Sequence, residues 1–345
     1  MDYTGLDYRN IRFPVNRPLT DAERATHYRQ SQPIDVPPMD FLSVIKLNST
    51  YIELVDRWYP IKGFNTWLGI CVVGVGFFLS SIIVWAFFFA PDDTERAALW
   101  FMLLVFLPFT LALVWGGWWL IRTESWRWTH YPMRLNRKTR HVHVFRQDGT
   151  VLTVSWDDLY IVRGEAKSSL SGTTYDLRAH VLDADGLTVR ESFSLGYSFP
   201  GKPESMDKFW AFLQPYMEAQ DGVERTYRHL KDRLLMPVDG RKEGWCWSIV
   251  RTFAPSWPYV WTQFLFFIPL GLNSVGRMFA MWTSKLPRWP EAVEQANVIE
   301  PNDPYMRTWK QNGSLGWWEW WCPFICTVLG VGSFFGIIGC MVSQL

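Results

Sequence analysis

The residues best suited to bind a charged ligand are four basic side chains in one short stretch. Arg134, Arg137, Lys138 and Arg140, the basic cluster, begin about a dozen residues after an apolar run that ends at Ile121. Near an anionic bilayer surface, each Lys or Arg contributes about 1 kcal/mol of attraction. The spacing therefore predicts a lipid-phosphate site at the basic cluster. The alternative interpretation is a solvated hairpin whose charges only help to fix membrane orientation.

Metal and catalytic chemistry have weaker support. His141 and His143 share one face of a strand, and Cys322 and Cys326 lie about one helical turn apart. No third ligand stands at a telling spacing from the histidines, and the common nucleophile, phosphate-loop, zinc-protease and dinucleotide motifs are absent from the sequence. We therefore predict no catalytic residues, no metal and no cofactor, in a protein that is not an enzyme.

Long apolar segments predict membrane-spanning helices, and these helices determine where the polar residues between them lie. The runs Thr66–Ala90 and Leu99–Ile121 carry no charge, and each exceeds the roughly 20 residues that a helix needs to cross a bilayer. With the short polar link Pro91–Arg96, they predict a transmembrane helical hairpin over residues 66–121. A last transmembrane helix is predicted over residues 322–342.

The third apolar region, residues 248–284, is interrupted by Pro255, Pro258 and Pro269. It is either a broken span or a re-entrant element, since irregular backbone at membrane depth needs protein or water to satisfy it. A span would place the polar loop 285–316 outside the cell and the C-terminus inside. A re-entrant element would place the loop inside and the C-terminus outside, and the sequence leaves both arrangements open.

Basic residues fix the expected orientation. They flank the hairpin 66–121 on both sides, whereas the link within it has only Arg96 beside three acids. The positive-inside rule therefore predicts that both flanks are cytoplasmic. The N-terminal segment 1–65 is predicted to be cytoplasmic and partly disordered, and it has no apolar core typical of a cleavable signal peptide.

The region 126–218 alternates in hydropathy like a half-buried sheet. Hairpin turns are expected at Gln147–Thr150 and Asp183–Gly186, and an apolar stripe predicts a helix over Met206–Met217. Antiparallel strands followed by one amphipathic helix resemble the pleckstrin-homology fold, in which the helix plugs one end of a barrel. The predicted fold class is an α+β membrane protein with transmembrane helices and a cytoplasmic, pleckstrin-homology-like, β-rich domain.

Composition limits the partners. The chain has 345 residues, of which 22 are Trp, and several Trp stand at the ends of apolar runs. Indole rings favour the headgroup layer of a bilayer. The net charge of +1 excludes nucleic-acid binding by bulk charge. The expected partners are the lipid bilayer and another protein, with no nucleic acid.

The sequence around the polar loop is the most distinctive. It contains Arg277-Met278-x-x-Met281-x-Thr283-Ser284, Trp289-Pro290-Glu291 and Asn302-Asp303-Pro304-Tyr305. With Asn136-Arg137-Lys138 and Trp156-Asp157, these motifs resemble an uncharacterised family of proteobacterial multi-pass membrane proteins associated with type VI secretion effector genes. The resemblance implies a bacterial inner-membrane protein whose partner is a protein toxin or a secretion-system component. Its candidate partner-binding residues are Arg277, Trp289, Asp303 and Tyr305.

The function that the resemblance implies is that of an immunity or accessory protein for a secreted toxin that acts at the membrane. Two alternatives remain. The basic cluster favours a lipid-sensing or scaffolding module. Arg277 and the broken third region favour a small transporter or channel, because charge near the membrane interior often marks a functional site.

Overall fold

A computed structural model describes residues 13–90, 95–168, 172–200 and 202–343. Most of the predicted link Pro91–Arg96 lies outside the described residues, as does the start of the N-terminal segment. The chain divides into two compact units. The sheet unit comprises the described residues up to Pro60, His130–Lys242 and Leu286–Ser314. The helical unit comprises Ile61–Thr129, Glu243–Lys285 and the described residues from Leu315 onward.

The elements are numbered in chain order. The strands are β1 (Arg17–Pro18), β2 (His27–Tyr28), β3 (Val44–Leu47), β4 (Tyr51–Leu54), β5 (Met133–Asn136), β6 (His141–Phe145), β7 (Val151–Ser155), β8 (Leu159–Ser168), β9 (Gly172–Leu182), β10 (Thr188–Pro200) and β11 (Arg307–Thr308). The helices are α1 (Asp21–Ala25), α2 (Phe64–Phe89), α3 (Arg96–Phe101), α4 (Leu107–Glu124), α5 (Glu204–Glu218), α6 (Gly222–Leu230), α7 (Trp245–Phe253), α8 (Trp261–Leu265), α9 (Phe267–Thr283), α10 (Glu291–Ala296) and α11 (Cys322–Val342).

Two antiparallel sheets form the sheet unit. One has the order β1-β10-β9-β8-β2 and the other the order β11-β3-β4-β5-β6-β7. The predicted hairpin turns lie between β6 and β7 and between β9 and β10, where Gly149 and Gly186 have φ of +87° and +67°. Glycine takes this left-handed conformation without a steric penalty. The prediction of a mixed α and β protein with a sheet-rich part is confirmed.

Helix α5 supplies much of the core of the sheet unit. Its predicted apolar stripe, which includes Phe209, Trp210 and Leu213, is buried against residues of both sheets. Trp210 stacks on Trp156 with ring centroids 5.9 Å apart. Each such side chain contributes about 1.5–3 kcal/mol by leaving water, so the stripe holds α5 to the sheets.

Two segments outside the region 126–218 complete the six-stranded sheet. Strands β3 and β4 come from the N-terminal segment, and β4 pairs with β5 in the register Glu53↔Arg134. Strand β11 comes from the polar loop and pairs with β3 in the register Thr308↔Lys46. The loop 285–316 therefore contributes its residues up to Ser314 to the same folded unit as the N-terminal segment.

Among the described residues, three helices are long and apolar enough to cross a membrane: Tyr59–Phe89, Arg96–Glu124 and Trp317–Met341. The second of them joins α3 to α4 through a π-helical turn at Met102–Phe106. Small and hydroxyl residues let α2 and α4 approach closely, and Ser80 and Thr110 share a 2.7 Å hydrogen bond between them. Such contacts are typical of helix packing in lipid.

The third apolar region forms α7, α8 and α9, with the 3₁₀ turn Ala254–Tyr259 after α7. Two of its prolines, Pro255 and Pro258, lie in that turn, where proline removes no α-helical hydrogen bond. Arg277 on α9 and Glu243, just before α7, form a 2.6 Å ion pair between two fully buried side chains. The region therefore begins and ends at neighbouring positions within the helical unit.

Replacing Gly63 by Ala should destabilise the helical unit. Gly63 precedes α2 with φ +104°, and a Cβ there would overlap the backbone of Arg277. Strain of this kind costs about 1–3 kcal/mol, so we expect a thermal unfolding midpoint several degrees lower for the detergent-solubilised chain. Gly74→Ala, on α2 with open space around it, is the matched control. An equal loss of stability in both variants would contradict the close approach.

Candidate functional site

A cleft of about 480 Å³ opens on the six-stranded sheet of the sheet unit. Residues of β3, β4 and β5 line it, together with Val238–Gly240, Pro287–Trp289 and nearby residues of α10 and the segment after it. Ligand sites are commonly concave pockets of this size with a few convergent polar groups. We call it the Arg134 cleft, after one of the residues that line it.

Arg134 is held by a carboxylate on the neighbouring strand. Its Nε donates to Oε2 of Glu53 at 2.8 Å, and the two side chains are only 5% and 6% exposed. The two residues stand directly opposite each other on β5 and β4. Cross-strand neighbours of opposite charge stabilise a sheet, and burial makes this pair hard to separate.

Two aromatic rings hold the Arg134 guanidinium in place. Its central carbon lies 4.7 Å from the ring centroid of Tyr51 and 4.9 Å from that of Trp289. The indole N–H of Trp289 also donates to Oε1 of Glu53 at 3.2 Å. Cation–π contacts strengthen when water is excluded, so the two rings add to the hydrogen bond at Nε in holding the guanidinium.

Further carboxylates contact the cations of the cleft. Glu294 on α10 places Oε2 3.0 Å from Nη1 of Arg134, with its own side chain 52% exposed. Among the residues that the structure describes, Nη1 has no hydrogen-bond partner, so this contact is an ion pair without hydrogen-bond geometry. Lys46 on β3 donates to Asp239 at 2.8 Å.

Burial and charge act in opposite directions on these cations. Burial alone would lower the pKa of Arg134, but the nearby carboxylate of Glu53 and the phenol of Tyr51 raise it above its ordinary value. Burial likewise opposes the charge on Lys46, yet Tyr51 and Asp239 raise the pKa of that amine. Both groups therefore carry a positive charge at neutral pH.

The rest of the basic cluster has other contacts. Arg137 donates to the backbone carbonyls of Tyr216 and Ala219 at the end of α5, where a cation complements the helix dipole. Lys138 pairs with Glu300. Arg140 pairs with Asp157 and Glu218. A lipid phosphate at these side chains would have to compete with those contacts, and the lipid site stays a prediction.

The candidate partner-binding residues are dispersed. Trp289 alone lines the Arg134 cleft. Asp303 accepts from the backbone N–H and hydroxyl of Ser49 at 2.6 Å, and Tyr305 packs on Tyr227 with centroids 5.7 Å apart. Arg277 belongs to the helical unit. Their role in binding a partner stays a prediction.

Sequence reasoning missed Glu53, Lys46, Asp239 and Glu294. They lie in separate parts of the chain that meet only when β3, β4 and β5 pair. One signal was available for Glu53, because it interrupts the apolar run Tyr51-Ile52-Glu53-Leu54. A carboxylate in such a position needs a buried cation as partner. No group of three or more His, Cys, Asp or Glu suited to a metal occurs among the described residues.

A family model matches more than half of the chain. A model described as a family of unknown function, DUF6708, matches residues 110–301. These residues include β5, Trp289 and Glu294, and they exclude β3, β4 and β11. No curated protein and no solved structure matches the chain.

The two carboxylates on Arg134 should differ sharply in their effect on stability. Glu53→Gln leaves a buried guanidinium without its counter-charge, which costs about 3–5 kcal/mol. Glu294→Gln removes only an exposed ion pair, worth about 0–1 kcal/mol. Chemical unfolding of the two full-length variants measures the difference. Equal destabilisation would mean that Glu294 is as firmly held as Glu53.

Proposed function

We propose that this chain, which belongs to the DUF6708 family of unknown function, is a membrane-anchored binding protein that receives a protein partner in the Arg134 cleft. The observation that carries the proposal is an arginine that lines a cleft and has two aromatic rings against its guanidinium. Trp, Tyr and Arg are the residues that contribute most to binding in protein interfaces. Because the guanidinium is already ordered, a partner loses little further conformational entropy on binding it.

The connectivity of the sheet unit supports the anchoring. The chain leaves this unit at Ile61 and at Glu243 and returns to it each time. Since a folded unit lies on one side of a bilayer, each excursion crosses an even number of times. The first contains two candidate spans, and the second returns Arg277 to Glu243. The proposal is therefore a three-span protein with a re-entrant α7–α9 segment.

The orientation follows from the flanking charges. Lys62, Arg122 and Arg127 flank the first two spans, which favours a cytoplasmic sheet unit. The final span then carries the C-terminus to the opposite side. In the bacterial inner membrane, this arrangement presents the Arg134 cleft to cytoplasmic proteins and places the link between the first two spans and the residues after the last span outside.

The partner that we propose is a secreted toxin acting at the membrane or a component of its secretion system. The support is the resemblance carried by the motifs around Arg277, Trp289 and Asp303. In this proposal the protein is non-catalytic and acts as an immunity or accessory factor. We also retain the hypothesis that the region from β5 to α5 resembles a pleckstrin-homology domain, since α5 packs against both sheets.

Accessibility of engineered cysteines tests the topology. In a variant without the five native cysteines, Ser343→Cys should react with a membrane-impermeant maleimide in intact spheroplasts. Ser314→Cys should react only after lysis, because the loop residues up to Ser314 belong to the sheet unit. Labelling of Ser314→Cys in intact spheroplasts would contradict the three-span arrangement.

Photo-crosslinking in cells tests the cleft. A photoreactive residue at Val298, which lines the cleft and is 67% exposed, should form an adduct with the partner protein. The same residue at Leu187, 52% exposed in the β9–β10 turn, serves as the control. Trp289→Ala should abolish the Val298 adduct, because it removes one wall of the cleft. An adduct that persists in Trp289→Ala, or forms equally at Leu187, would refute binding in the cleft.

A further inference from the structure

We propose that the Arg134 cleft binds an acidic segment of the partner, and that Glu294 is an internal occupant which a carboxylate of the partner replaces. This inference rests on the proposed function and names the chemistry that the cleft recognises. The observation behind it is that two carboxylates contact the Arg134 guanidinium in different ways: Glu53 is buried and hydrogen-bonded, and Glu294 is half exposed.

Glu53 is a permanent partner of Arg134. Its two oxygens accept from Arg134 Nε and from Trp289 Nε1, and its side chain is almost fully buried. Displacing it would leave a buried charge uncompensated. A ligand therefore does not compete for this position.

Glu294 is a replaceable partner. It reaches Nη1 from α10 with half of its side chain in solvent, and the contact lacks hydrogen-bond geometry. An exposed ion pair contributes little to stability. Because Nη1 is itself buried, an incoming carboxylate reaches it by taking the place of Glu294, and one carboxylate is then exchanged for another of the same charge.

The second cation of the cleft repeats this arrangement. Lys46 holds the carboxylate of Asp239, whose side chain is 28% exposed. Each of these two cations thus contacts a carboxylate from a solvent-facing segment. With Arg288 and Glu53 included, three cations and three carboxylates line the cleft, so its formal charge is balanced. A partner segment with two or more acidic residues matches both cations, whereas a neutral segment would leave both carboxylates undisplaced.

Binding of a fluorescein-labelled hexaglutamate peptide to the full-length protein in detergent tests the inference. Fluorescence anisotropy should show binding of hexaglutamate and none of hexaglutamine. Glu294→Ala should tighten binding about two- to fivefold, because it removes the competing carboxylate. Glu291→Ala is the matched control, since it removes an equal charge from the same short helix without touching Arg134, and it should leave the affinity unchanged.

A second pair of variants addresses the cations without disturbing the buried Arg134. Lys46→Met should weaken hexaglutamate binding at least threefold, while Lys310→Met, at an exposed position outside the cleft, should not. Equal effects of Glu294→Ala and Glu291→Ala would overturn the inference, because bulk charge would then explain them. Displacement of the peptide by millimolar inorganic phosphate would also overturn it, in favour of a general anion site.

The two proposals fail in distinguishable ways. A Val298 crosslink that requires Trp289, together with no binding of hexaglutamate, would overturn the acidic-segment inference and leave the binding function intact. Absence of a Val298 adduct in the chain with Trp289 intact, its persistence in Trp289→Ala, or equal adducts at Leu187 would overturn the binding function itself.

Discussion

The pairing of β4 with β5 is the interaction on which the rest of the structure depends. Glu53 and Arg134 are 81 residues apart in sequence, and the residues between them include two membrane-type helices. The register Leu54↔Met133 brings the two ends of this long insertion to neighbouring strands. Because the two helices run in opposite directions, the end of the insertion comes back near its beginning. The insertion therefore allows β4 and β5 to pair. The same pairing forms the floor of the cleft.

Local sequence patterns predicted the elements that depend only on residues close together in the chain, namely the helices and the hairpin turns. The apolar runs predicted α2, α4 and α11, and the turn signals at Gly149 and Gly186 predicted hairpins that the structure contains. Helix α5 could be predicted from the sequence because its apolar residues repeat at helical spacing. The pairing of β3 with β11 could not be predicted, because the two strands are far apart in the sequence and no local pattern relates them.

The candidate site shows the same limit. Arg134 and Trp289 stood out separately, one as a basic residue near a membrane helix and the other in a distinctive loop. Nothing in the sequence indicated that their side chains stack, because the stack requires β5 and the segment before α10 to meet across the sheet. Arg137 and Arg140 share the composition of the cluster, but the end of α5 engages them as caps. Composition identified the charges, and only tertiary packing distinguishes a ligand site from a cap.

Strand β11 has a consequence for biosynthesis. It closes one edge of the six-stranded sheet by pairing with β3, yet it emerges from the ribosome after almost every other part of the sheet unit and after α9. Until then β3 presents unpaired backbone groups, which invite association with other chains. Contacts between such distant segments also form slowly. Completion of the sheet thus waits until the membrane-type helices and α7–α9 have been translated.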